Sequence, residues 1–138
     1  MKTKNEVEKP APVTHPDVKV ALDYARKESG ARERGLDFTL TFHEFKTLQR
    51  QKKCYYTGVT LTKSNGSGQL RSTDRTLDRI DHRKGYTKEN TVACCHAANV
   101  VKSMIEVDRS HLIDVTLEEK FYLAQVIIDK TLNNLRGV

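Results

Sequence analysis

One stretch constrains this chain more than any other: residues 76–102. Leu77 and Ile80, set among Asp78, Arg79 and Asp81, predict a short strand, and Lys84-Gly85 interrupts it. Thr91-Val92-Ala93-Cys94-Cys95 predicts a second strand, which runs straight into an Ala- and Val-rich helix start. The expected order is strand, loop, strand, helix. It puts Asp78 on the first strand, Asn90 at the end of the loop and Asn99 one turn into the helix. Oxygen- and nitrogen-bearing side chains of this kind, brought together, hold a hard divalent cation.

Around this stretch, 138 residues suffice for one domain with a modest core and are too few for two well-packed ones. The expected class is α+β: a 17–138 domain with its motif core at 54–102, preceded by a charged, proline-bearing arm at 1–16. Lys plus Arg number 24 against 18 Asp plus Glu, a formal charge of +6, which favours a polyanionic partner. Three cysteines, two of them adjacent, give no disulfide framework and point to a reducing, cytoplasmic compartment. No apolar run approaches the roughly 18 residues that cross a bilayer, so no membrane partner is expected.

Asp17 is placed to cap a helix from Val18, with Val18, Ala21, Leu22 and Ala25 on its packing face and Gly30 at its end. Thr41 and Glu44 mark the cap of a second helix, whose buried face is Phe42, Phe45 and Leu48. His43 reads as a surface or capping side chain. Cys54 to Leu61 reads as a tight hairpin turning at Gly58, followed by a polar loop whose tail carries Arg71 and Arg75. Ser103 to Ser110 reads as a connector. Thr116 and Glu119 then repeat the capping signature, opening a helix over about 117–134 that closes the core along Leu117, Phe121, Ala124, Ile128 and Leu135.

Taken together, Cys54-Tyr55-Tyr56-Thr57-Gly58, Leu77-Asp78-Arg79-Ile80-Asp81, Gly85-Tyr86, Asn90, Cys95 and Asn99 with Lys102 resemble the HNH, or ββα-metal, endonucleases, in particular their small phage- and intron-borne members. Asp78, Asn90 and Asn99 stand 12 and 9 residues apart, similar to the family's motif spacing. The resemblance implies two antiparallel strands and a helix clamping one Mg²⁺ or Mn²⁺, with Asp78 and Asn99 as its ligands. It also implies cleavage of double-stranded DNA to 5′-phosphate and 3′-hydroxyl ends. Asn90 would fix the loop or orient the general base. Arg71, Arg75, Lys84 and Lys102 are the expected phosphate contacts.

Three positions depart from the family pattern. The places of its two zinc-binding Cys-x-x-Cys pairs read Cys54-x-x-Thr57 and Cys95-x-x-Ala98, so a structural zinc is not expected. Arg79 stands where the general-base histidine follows the aspartate, and arginine cannot accept a proton. That role passes to His82 or to solvent assisted by Asp81, with Arg79 on a phosphate. On a strand 78 and 80 face one side and 79 and 81 the other, which leaves Asp78 or Asp81 as the ligand, Asp78 by resemblance. Asn99 replaces a histidine, a mild change for Mg²⁺; His96 is expected to be exposed or capping. The expectation is a monomeric, homing-type DNA endonuclease in a bacterial or phage-infected cell; the alternative is a DNA-binding module on a non-cleaving scaffold.

Overall fold

The computed structural model describes residues 15–66, 68–107 and 114–137. Residues 1–14 of the expected arm, and 108–110 of the expected connector, lie outside them. The architecture is α+β: among the described residues, four helices around a two-stranded antiparallel sheet, in the order α1 (Pro16–Glu33), α2 (Phe42–Gln49), β1 (Arg75–Arg79), β2 (Thr91–Cys95), α3 (His96–Glu106) and α4 (Leu117–Leu135). Among the described residues no helix is long and apolar enough to cross a membrane.

α1 starts earlier and ends later than its sequence signals suggest. Pro16 occupies the first turn, where its missing N–H is not needed, and His15 caps the helix by accepting from Asp17 N at 3.1 Å. Gly30 lies inside the helix; the turn out of it is made by Gly35, at φ 70°. The buried face is also rotated from the expected one. Val18 and Leu22 are exposed, while Val20, Tyr24 and Ala31 face inward. Tyr24 accounts for the rotation. Its ring meets Phe38, Phe42 and Phe45 edge-on at centroid distances of 5.4, 5.7 and 5.4 Å, and its hydroxyl donates to Leu40 O at 2.7 Å. An aromatic cluster with a satisfied hydroxyl outweighs two aliphatics on the neighbouring face.

α2 begins as expected, with Glu44 N donating to Thr41 Oγ1 at 3.1 Å. It buries Phe45, which with Cys54, Leu61, Leu77 and Ala93 to Cys95 forms the main core; full burial of such an aromatic is worth roughly 1.5–3 kcal/mol. Cys54 to Val59 is a tight turn in which Cys54 N bonds Val59 O and Gly58 N bonds Cys54 O, with Gly58 at φ 74°. β1 and β2 pair from Arg75↔Cys95 to Arg79↔Thr91. β2 is buried along its whole length, which is why it reads as an unbroken run without polar alternation.

The loop between the strands is moored by Gly85-Tyr86. Tyr86 N donates to Asp37 O at 2.8 Å, and Thr39 N to Tyr86 O at 3.0 Å. A Cβ on Gly85 would lie 2.3 Å from Asp37 O, so no other residue lets the two backbones approach this closely. α3 continues through Ser103 to Glu106, so the first residues of the expected connector are helical. α4 carries the complete Thr116–Glu119 capping box, but none of its residues is fully buried. Leu117, Phe121 and Ala124 are half-buried, whereas Ile128 and Leu135 are exposed, so its second half does not close the core as expected.

Candidate active site

Asp78 is buried at the interface of β1 and α3. Its Oδ2 accepts a hydrogen bond from Tyr56 Oη at 2.5 Å and lies 3.1 Å from Lys102 Nζ. The same ammonium reaches Glu106 Oε2 at 2.7 Å and Arg79 O at 2.8 Å, so three oxygens surround it. Asn99, Lys102 and Glu106 recur at helical spacing and therefore share one face of α3. Asn99 Nδ2 donates to Thr76 Oγ1 at 3.1 Å, and Thr76 stands two residues before Asp78 on the same side of β1. Asp78 and Asn99 thus belong to one strand–helix interface. The Asp78 and Glu106 carboxyl groups both lie against the Lys102 ammonium there.

A divalent cation is compatible with these residues. Asp78 Oδ1 and Asn99 Oδ1 carry no hydrogen bond among the described residues, and a carboxylate plus an amide oxygen suits Mg²⁺, which keeps most of its waters. Among the described residues no group of three or more His, Cys, Asp or Glu side chains is placed to hold a metal ion, so such a site would draw on water and phosphate for its remaining ligands.

Tyr56 is held in its neutral form. Burial, then the hydrogen bond to the Asp78 carboxylate, push its phenol well above the ordinary range. His82 Nδ1 lies 3.2 Å from Glu106 Oε2, though off the line of a well-formed hydrogen bond, and has no other partner among the described residues. Tyr56 and Glu106 are absent from the expected set, Glu106 because the sequence predicts a connector from Ser103. The spacing from Asn99 and Lys102 to Glu106 is the signal that would have found it.

The remaining expected site residues lie elsewhere. Asn90 staples the loop: its Oδ1 accepts from Asp81 N at 2.9 Å, and its Nδ2 donates to Asp81 O at 3.0 Å and Gly85 O at 2.9 Å. Arg79 points into the same loop, donating to His82 O at 2.6 Å and Lys84 O at 2.9 Å, with its guanidinium 5.4 Å from the Tyr86 ring centre. Asp81 is engaged by Arg83, whose side-chain and backbone N–H groups hold its carboxyl down at about 2. Lys84 is exposed. Arg71 is bound into the buried Asp74 carboxylate and donates to Lys63 O at 2.8 Å, which leaves little of it for a phosphate. Among the described residues Arg75 gives only its Nε, to Gln51 O at 2.9 Å.

Beneath the site all three cysteines are buried and free. Burial pushes the Cys54 thiol up, but hydrogen bonds from the Thr57 hydroxyl and from the backbone of Cys95, Thr57 and Tyr56 outweigh it and bring it to about 7. Burial pushes Cys94 up to about 11.

No family model matches this chain, and no solved structure does. Over 108 residues, 77% of its length, it is 30% identical to an uncharacterized protein of Acanthamoeba polyphaga mimivirus. The chain spans 18% of that protein's length. The match names no activity, so the chemistry rests on the residues at the β1–α3 interface.

Proposed function

We propose that this chain is a metal-dependent DNA endonuclease of the HNH type, homing-like, hydrolysing phosphodiester bonds. The observation that carries this reading is the meeting of Asp78 on β1 with the Asn99 and Lys102 face of α3, linked through Lys102 Nζ and Thr76 Oγ1. These are the positions at which the sequence resembles that family. Asp78 and Asn99 would hold one Mg²⁺ or Mn²⁺, which supplies charge neutralisation at the phosphate and lowers the pKa of water.

The chain's own residues have distinct parts in that chemistry. His82 accepts the proton of the attacking water, with Glu106 Oε2 3.2 Å from its Nδ1. Tyr56 fixes the Asp78 carboxylate and, held neutral, does not serve as a base. Arg79 and Asn90 keep the His82 loop in shape. Lys102, already on Asp78, offers a positive charge one helical turn from Asn99.

Plasmid incubated with Mg²⁺ or Mn²⁺ tests the proposal. Nicked or linear product is expected with metal and none with chelator, and Asp78→Ala and Asn99→Ala are expected to lower the rate by about a hundredfold or more while the fold persists. One observation favours a second reading, a DNA-binding module that does not cleave: Lys102 already neutralises the Asp78 carboxylate. Intact plasmid together with a retained gel shift would establish that reading instead.

A further inference from the structure

A cleft of about 770 Å³ opens between α1, α2 and the β1–α3 junction, and Thr76, His96 and Asn99 are among the residues that line it. Six of its lining side chains are cationic and two are carboxylates. The carboxylates are already answered: Asp17 receives Lys46 Nζ at 2.7 Å, and Asp23 lies within 4 Å of Lys19 and Arg26. Arg50 and Lys63 are exposed, and among the described residues Arg75 keeps its two terminal nitrogens after giving Nε to Gln51 O. The first N–H groups of α3 are not part of this field, because His96 N and Ala97 N are bonded to Asp74 O and Ser72 O. The positive potential therefore comes from side chains on three separate elements. The lining also includes the apolar side chains Val20, Phe45 and Leu77.

We infer that this cleft seats the sugar–phosphate backbone of one DNA strand and leads it to the Asp78–Asn99 interface, with Arg50, Lys63 and Arg75 on successive phosphates. The inference rests on the nuclease reading for what happens at Asp78 and Asn99, but not for the binding itself. Cations spaced along a groove suit a repeating polyanion, each neutralising one phosphate and releasing one counterion. Single-stranded DNA and one strand of a duplex present the same sugar–phosphate backbone, so both are tested.

The test measures binding by fluorescence anisotropy of labelled single-stranded and duplex oligonucleotides, in chelator, over a salt series. Arg50→Glu with Lys63→Glu is expected to weaken binding at least roughly tenfold at low salt and to reduce the slope of log affinity against log salt by about one for each residue. Lys130→Glu, on the far part of α4, is the matched charge reversal and is expected to leave the slope near wild type. Circular dichroism and thermal melting confirm that each variant is folded. An unchanged affinity and slope in the folded double variant, or wild-type protein that does not bind DNA, overturns the inference. Because chelator is present, the outcome is separate from cleavage: groove-dependent binding without plasmid cutting would keep this inference and remove the nuclease reading.

Discussion

Lys102 Nζ and Asp78 Oδ2 lie 3.1 Å apart in a nearly closed interface, their side chains 11% and 9% exposed. The ammonium stands where a carboxylate and a backbone carbonyl, joined by Glu106, would otherwise face one another uncompensated. Removing one member of a buried ion pair leaves an unpaired charge and costs about 3–5 kcal/mol. Lys102→Met is therefore expected to lower the melting temperature markedly, and Mn²⁺ to recover more of that loss than it adds to wild type, since the vacated oxygens then hold the metal more tightly. Thermal melts of both proteins across a Mn²⁺ titration check this. Equal metal responses would show that the ammonium and the metal do not compete for the same oxygens.

Tyr56 makes the other contact to Asp78. A hydrogen bond to a charged group contributes about 1.5–3 kcal/mol when dry, and partial exposure of Tyr56 reduces the expected loss in Tyr56→Phe to about 1 kcal/mol. The pH dependence has a definite sign. The folded-state pKa is raised above the ordinary tyrosine value of about 10, so this contribution is present below pH 10 and is lost as the pH rises further. Chemical denaturation between pH 8 and about 11 should show wild type losing stability faster than Tyr56→Phe.

Asn90 separates structure from chemistry. Its three side-chain hydrogen bonds close the loop that carries His82, and the residue is buried. Asn90→Ala leaves those loop groups without partners and is expected to cost about 2–4 kcal/mol, with increased amide exchange confined to residues 80–86. Asn90→Asp keeps the acceptor for Asp81 N but loses the two donated bonds, so intermediate protection is expected. A catalytic role without a structural one would instead leave exchange unchanged.

The strand–loop–strand–helix order around residues 76–102 is legible in the sequence because turn-formers, β-branched residues and a helix start follow one another without conflict. The caps at Thr41 and Thr116 are legible because their bonds are local. The packing face of α1 is not, since Tyr24 is drawn inward by Phe38, Phe42 and Phe45, residues far along the chain whose positions local spacing cannot reveal. The Asp78 and Asn99 positions, and Glu106 one turn after Lys102 on α3, can be read from spacing, while the partner Tyr56, 22 residues from Asp78, cannot. Arg71 and Arg79 illustrate the converse: arginines near a motif suggest phosphate contacts, but here Asp74 and the carbonyls of the 80–85 loop compete for them at close range.

Asp74 anchors the entry to β1. Fully buried, it accepts from Thr62 Oγ1 at 2.6 Å, from Arg71 N at 2.9 Å and from the Arg71 guanidinium, while its own backbone N–H and carbonyl bond Arg71 O and His96 N. The Thr62 hydroxyl, then Arg71, hold its carboxyl down at about 2, below the ordinary value near 3.8. A depressed carboxylate stabilises the fold above its unfolded-state pKa, and that stability disappears as the pH falls from about 4 toward 2. Asp74→Asn cannot lose a charge interaction over that range. It should be less stable than wild type at neutral pH, with the gap narrowing steadily on acidification. Urea midpoints at pH 7, 4 and 2.5 measure this, and a gap that stays constant across them would mean that Asp74 acts through shape and neutral hydrogen bonds, with its charge making no difference.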